Sequence, residues 1–304
     1  MKRIFFILLF LYSAHCCAQE FMPLWPSGKM PNSKGMQIQD SIVNERLYQV
    51  GTPGMWIYLP SKQENKRGAI IIFPGGGYHH EAFNISGMQI AKWFNSFGIS
   101  AFVLKYRLPI SPDVNEPSIV PLQDAQRALR IVRAHARAWG INPAKIGVLG
   151  TSSGGHLAST IGTHFEDVSA IGDSLGSYSF RANFMILISA VIDYRLFTHP
   201  GTSDNLLGKN VTQELIEKYS NHLHVTSKTP PALIFHAQND PLVPVRNSLE
   251  FYQALNDSGV PASLHIFPQG AHNIALHDNP GSTQEWTTLC EQWMKEMGFV
   301  EEKK

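Results

Sequence analysis

Short apolar runs recur along the chain at Ala69–Phe73, Ala101–Leu104, Ile146–Leu149, Phe184–Ile188, Leu233–His236 and Ser263–Phe267. Most lack polar alternation, the pattern of strands buried on both faces in a parallel sheet. Between them lie helical patterns. In the clearest, Leu122, Ala125, Leu129, Val132, Ala136 and Trp139 return at three- and four-residue steps and make one apolar stripe. Pro121 suits the first turn of that helix, and Gly140 with Asn142-Pro143 ends it. The row Arg127, Arg130, Arg133 and Arg137 falls on another face and reads as a solvated stripe. Strand–helix alternation of this kind predicts an α/β fold, a mostly parallel sheet with helices on both faces. Ligands then gather at the carboxyl ends of the strands. Gln37 to Leu59 is expected to add antiparallel strands at the sheet edge.

Ile146–Leu149 runs into Gly150-Thr151-Ser152-Ser153-Gly154, a G-x-S-x-G pattern. A sharp strand-to-helix turn would hold the central Ser152 in a strained conformation, and side chains at Gly150 and Gly154 would clash there. The first N–H groups of the following helix, Ser153's among them, can then face developing negative charge. After Ala69–Phe73 comes Pro74-Gly75-Gly76-Gly77-Tyr78. Three glycines let backbone approach a substrate with N–H groups turned inward, which points to Gly77 or Tyr78 as oxyanion partners of Ser153. A phosphate loop would need a Lys-Ser/Thr pair that is missing here.

A nucleophilic serine needs a base and an acid, and in this architecture the chain order is Ser, then Asp or Glu, then His. Asp240 follows the run Leu233–His236 in a turn rich in Asn and Pro, and Asp193 is the second candidate acid. His272 follows the last predicted strand, where it could take the Ser152 proton while Asp240 fixes its tautomer. His265 falls within a strand and His277 farther along the loop. The adjacent His79-His80 reads as loop residues near the mouth of a site rather than a metal pair, and His222-x-His224 is no stronger. No metal or organic cofactor is implied.

Composition narrows the picture. The 304 residues are 43% hydrophobic and 16% charged, enough to bury a core. Basic and acidic residues number 25 and 24 and are scattered, which argues against nucleic acid as a partner. Lys2 and Arg3 precede the apolar run Ile4 to Tyr12, and Cys16-Cys17-Ala18 precedes polar Gln19. That is the pattern of an export signal cleaved after Ala18, too short to span a bilayer. A lipoprotein signal would want Gly, Ala or Ser beside the modified cysteine, where His15 and Cys16 stand. Export into the periplasm or medium, without stable membrane insertion, is therefore expected. Cleavage would leave Cys290 as the only cysteine, a buried small hydrophobe on a C-terminal helix. No linker, repeat or charge block divides residues 19–304, which read as one domain.

The chain resembles exported bacterial α/β-hydrolases of the carbohydrate-esterase type, the acetylxylan and feruloyl esterase-like group, over Leu24 to Leu276. The resemblance rests on Pro74-Gly75-Gly76-Gly77-Tyr78, Lys105-Tyr106-Arg107-Leu108, Leu122-Gln123-Asp124-Ala125-Gln126-Arg127-Ala128, Gly150-x-Ser152-x-Gly154-Gly155-His156-Leu157-Ala158, and the Asp240 and His272 segments. It departs at Ser86-Gly87, where such proteins often have Glu-Gly, and at Gly270-Ala271-His272-Asn273, where they often have Gly-His-Gly. The resemblance implies an α/β-hydrolase fold and removal of acetyl or other short acyl groups from polysaccharide, with an acylated polysaccharide or oligosaccharide as substrate. Two other readings compete. A prolyl-oligopeptidase-like peptidase would carry a large propeller that 304 residues cannot hold. A catalytically dead carbohydrate-binding homologue would have no use for Ser152, Asp240 and His272. The longest stretch after the nucleophile without strand character, Ile161 to Arg181, is polar and is expected to form a rim for a sugar rather than an apolar lid.

Overall fold

The computed structural model describes residues 20–301 apart from 198, 209, 210 and 273. The predicted export signal, Cys16 and Cys17 included, lies outside the described residues.

The described residues form ten strands: β1 (Phe21–Pro23), β2 (Ser41–Val43), β3 (Arg46–Gln49), β4 (Gly54–Tyr58), β5 (Ala69–Phe73), β6 (Ser100–Lys105), β7 (Ile146–Thr151), β8 (Met185–Ile188), β9 (Ala232–Ala237) and β10 (Ala262–Phe267). Eight of them make one sheet in the order β1-β4-β6-β5-β7-β8-β9-β10. The six apolar runs of the sequence are β5 to β10 and pair in parallel, while β1 and β4 add the antiparallel edge. The stretch expected to extend that edge divides instead: β4 joins the sheet, and β2 with β3 forms a separate hairpin.

The helices are α1 (Gln89–Ser96), α2 (Val120–His135), α3 (Ser153–Thr163), α4 (Pro200–Leu207), α5 (Gln213–Lys218), α6 (Arg246–Asp257) and α7 (Trp286–Glu296). Unbroken apolarity in β5 follows from two covered faces. Ile71 and Phe73 join Leu129, Leu157 and Phe251 of α2, α3 and α6, whereas Ile70 and Ile72 join Phe94 of α1 with Trp286 and Met294 of α7. Successive side chains point to opposite faces, so a strand covered on both sides has no position left for a polar residue. Cys290 is buried in the second of these layers, and its thiol pKa is raised by burial. The arrangement is the α/β-hydrolase fold. Among the described residues, no helix is long and apolar enough to cross a membrane.

Two further expectations fail in whole or in part. The arginine row is solvated only at Arg137, which lies exposed beyond the end of α2. Arg127 and Arg130 are each only 2% exposed. Arg127 pairs with Asp173 at 2.6 Å and donates to the Leu24 carbonyl, and Arg130 pairs with Asp167 at 2.6 Å. Arg133 donates to the carbonyls of Ser179 and Arg181. Arg127, Arg130 and Arg133 tie α2 to the segment after α3. Their partners are loop carboxylates and carbonyls that periodicity on α2 does not reveal.

The second failure concerns Ile161 to Arg181 as a sugar rim. Ile161 to Thr163 still belong to α3, which runs away from the Ser152 turn for 11 residues, about 16 Å at helical rise. The loop that follows therefore reaches the opposite end of the sheet, where Asn183 bonds to both backbone groups of Ile146 at the start of β7. The longer excursion is the β8–β9 connection, which carries α4 and α5.

Candidate active site

Ser152 sits between β7 and α3 at φ 54° and ψ −119°, a left-sided conformation that costs a non-glycine residue energy. Neighbouring chain holds it there. Ser152 N–H donates to Ile188 O of β8 at 3.0 Å, and Val191 N–H donates to Ser152 O at 3.2 Å. A Cβ on Gly150 would stand 2.0 Å from Gly154 O, and one on Gly154 would stand 2.0 Å from Phe73 O. Both glycines are thus required by close backbone approach.

His272, on the loop after β10, brings Nε2 to 2.9 Å from Ser152 Oγ, and its Nδ1 lies 2.7 Å from Asp240 Oδ2. A carboxylate only accepts, so Nδ1 carries the ring proton and Nε2 is free to accept from the Ser152 hydroxyl. Asp240, after β9, is fully enclosed at its side chain. Its Oδ1 accepts from Leu242 N–H and Val243 N–H, each at 2.9 Å. Burial alone would raise its pKa. Hydrogen bonds from His236, His272 and the Val243 N–H outweigh burial and hold it well below the usual carboxylate range. Asp193 lies elsewhere in the fold: its Oδ1 takes Arg195 N–H at 2.8 Å and the Ser220 hydroxyl at 3.2 Å.

The glycine-rich loop after β5 is held by its carbonyls. Pro74 O accepts from the Tyr106 hydroxyl, Gly75 O from Ala82 N–H, Gly76 O from the N–H groups of His79 and His80, and Gly77 O from Asn205 Nδ2. In a trans peptide the next N–H points the opposite way, so Gly77 N–H faces away from the His79 and His80 N–H groups and Tyr78 N–H away from Asn205 Nδ2. Gly76 and Gly77 line a cavity of about 620 Å³ together with Ser152 and His272. Tyr78 itself is buried at φ 56°. Its hydroxyl meets His156 Nδ1 at 2.9 Å, and His156 Nε2 meets Tyr219 O at 2.9 Å. The carbonyl requires Nε2–H, so Nδ1 accepts from Tyr78. Burial pushes the His156 pKa down to about 3 and keeps that ring neutral. The glycine loop is thereby pinned to α3, the helix that begins at Ser153.

Several contributors lay beyond the sequence reading. His236 of β9 places Nε2 at 2.9 Å from Val243 O and 3.3 Å from Asp240 Oδ2, while Nδ1 meets the Ser248 hydroxyl at 2.7 Å. Both Nε2 neighbours are acceptors, so His236 donates to Asp240 from behind. A histidine four residues before the acid was the available signal. From the β8–β9 connection, His199, Gly201 and Asn205 reach the cavity. Thr202 N–H donates to His199 Nδ1, which leaves Nε2 of that ring as the protonated nitrogen. His79 and His80 line the cavity, as a position near its mouth predicts. The resemblance motifs around Arg107 and Asp124 meet each other instead, in a buried pair at 2.7 Å that Trp25 Nε1 also joins. They hold β6 to α2 and lie outside the cavity. Among the described residues, no three His, Cys, Asp or Glu side chains cluster so as to hold a metal.

Comparison with known proteins agrees with the fold and places it in a family. The sequence profile of the BD-FAE family matches residues 55–255. An acetylxylan esterase of Xylanibacter ruminicola is 36% identical over 254 residues, 82% of this chain and 48% of that one. Endo-1,4-beta-xylanase B of Butyrivibrio fibrisolvens is 31% identical over 81% of this chain and 39% of its own. The chain thus spans about half or less of the length of these two relatives. Among solved structures, an acetyl ester-xyloside bifunctional hydrolase from Caldicellulosiruptor lactoaceticus is 38% identical. It superposes with a TM-score of 0.81 over 93% of this chain and 97% of that one. A match across the sheet from β4 to α6, the Ser152 turn included, makes this chain a member of the BD-FAE family.

Proposed function

We propose that the protein is a serine esterase that removes acetyl and other short acyl groups from plant polysaccharide, acetylated xylan first among them. The observation that carries the reading is the line Ser152 Oγ, His272, Asp240, with contacts of 2.9 and 2.7 Å, opening on the cavity floor. Membership of the BD-FAE family and likeness to an acetylxylan esterase support the substrate class.

In the proposed reaction Ser152 Oγ attacks the ester carbonyl carbon while its proton passes to His272 Nε2. Asp240 stabilises the imidazolium and keeps its orientation. The carbonyl oxygen gains negative charge and is met by the N–H group of Gly77 or Tyr78 together with that of Ser153. Collapse breaks the bond to the sugar oxygen, which leaves as a hydroxyl with the proton from His272. Water then attacks the acyl-enzyme, gives its proton to His272, and frees the carboxylic acid and Ser152. Each acyl group removed consumes one water and needs no cofactor.

We also propose export, from the Lys2-Arg3 pair and the apolar run behind it, with residues 19–304 as one hydrolase domain. The functional test is activity on a panel of acetylated and feruloylated xylo-oligosaccharides, with acetate or ferulate release measured directly. Release of acetate is expected. No release from any member of the panel would overturn the substrate class.

A further inference from the structure

The walls of the active-site cavity are unbalanced in charge. Arg46, His79, His80, His199 and His272 line it, and no aspartate or glutamate does so among the described residues. The chain as a whole is close to neutral, with 25 basic and 24 acidic residues, so the imbalance is local. Asp240 lies behind His272, enclosed, its charge already met by two imidazoles and two backbone N–H groups.

Arg46 carries the formal charge of these walls. The chain fixes its position. It begins β3, and the next residue, Leu47, exchanges two 2.9 Å backbone hydrogen bonds with Glu81, just past the glycine-rich loop. Tyr48 packs its ring on His80 at 5.2 Å and against the edge of His79 at 5.6 Å, which holds the hairpin to the cavity wall. Arg107, Arg127, Arg130, Arg195 and Arg246 each pair with a carboxylate of the protein. Arg46 makes no such pair among the described residues, although Glu45 precedes it. Burial and the Arg46 guanidinium beside it lower the His80 pKa, so that ring is a neutral neighbour. A guanidinium fork without an anion, on the wall of a cavity that excludes acids, matches the planar geometry of a carboxylate.

Building on the esterase reading, we propose that Arg46 binds a carboxylate carried by the ester substrate, so that the enzyme prefers anionic esters to neutral ones. Two sources supply that chemistry: a hexuronic acid on the sugar side, or a dicarboxylic acid as the acyl group. The test pairs substrates alike in all but charge. Acetylated xylo-oligosaccharide with a hexuronic acid branch is compared with the same oligosaccharide carrying the corresponding neutral hexose branch, and monosuccinyl nitrophenyl ester with the butyryl ester. The proposal expects kcat/KM to favour the anion by about tenfold in one pair, the low end for a charge-assisted hydrogen bond at an exposed cation. The pair that shows it identifies the source. In Arg46→Gln the ratio within that pair should fall to near one. In the wild type it should shrink as salt rises to about 0.5 M, which checks the point without relying on the variant. Turnover of the neutral esters with no preference in either pair overturns the proposal, as does a preference that survives Arg46→Gln. Absence of any ester turnover would instead overturn the esterase reading and take this inference with it.

Discussion

Replacing Asp240 with asparagine tests the site's hydrogen-bond logic, because the structure dictates how the amide must lie. Oδ1 accepts two backbone N–H groups at 2.9 Å, so the amide oxygen takes that position. The NH2 group then occupies the Oδ2 position, 2.7 Å from His272 Nδ1 and 3.3 Å from His236 Nε2. Donating to His272 Nδ1 forces that ring's proton onto Nε2, where it points at Ser152 Oγ and cannot accept the hydroxyl proton. A loss of about 10³- to 10⁴-fold in kcat is expected for the wrong tautomer. His236 Nε2–H would meanwhile face an N–H group in place of an acceptor, at a cost of about 1–3 kcal/mol of stability. Acetyl ester hydrolysis gives the first quantity and urea unfolding the second. Asp193→Asn is the control, because Asp193 bonds to Arg195 and Ser220 and not to His272. A loss under tenfold in Asp240→Asn, or a larger loss in Asp193→Asn, would refute the reasoning.

Further expectations concern stability, substrate size and export. His156 stays neutral in the fold down to about pH 3, whereas an unfolded histidine takes up its proton near pH 6.5. Its contribution is therefore complete above pH 6.5 and is lost as pH falls from there toward 3, roughly 2 kcal/mol by pH 5. Urea unfolding at pH 7 and pH 5 should show that slope and a flatter one in His156→Gln; equal slopes would exclude His156 as the cause. On a nitrophenyl ester series the short-acyl reading expects kcat/KM to fall by about tenfold or more from acetyl to octanoyl, with His79, His80 and His199 on the cavity wall opposing a long tail and Ile85, Ile90, Ile188, Leu242 and Ile274 favouring it. A flat or rising series would mark a lipase-like pocket. Protein recovered from periplasm or medium should begin at Gln19, and a start at lipidated Cys16 or Cys17 in the membrane fraction would contradict the proposed cleavage.

Where a local rule governs, the sequence was informative. β5 to β9 were legible because strands covered on both faces are largely apolar, and the Ser152 turn because Gly150 and Gly154 have backbone oxygens 2.0 Å from any Cβ. Long-range partners left no such trace. The arginines of α2 look solvated by periodicity, yet Asp167, Asp173 and two carbonyls reach them from 37 to 48 residues away. His236 looked like a strand residue, and only the fold sets it against Asp240. The β8–β9 connection was illegible because α4 and α5 span 8 and 6 residues, too few for an apolar period to show. Arg46 stood in a stretch read merely as edge strand. The departure of the β2–β3 hairpin from the sheet is what brings it to the cavity.

The central claim is that Ser152 is the nucleophile of an ester hydrolase. Fluorophosphonate labelling followed by intact-mass measurement and peptide mapping tests it directly. A single adduct on Ser152 is expected in the wild type and none in Ser152→Ala, with loss of acetate release by several powers of ten in that variant and an unchanged circular dichroism spectrum. An adduct on another residue, or a folded Ser152→Ala that still releases acetate at near wild-type rate, would contradict it.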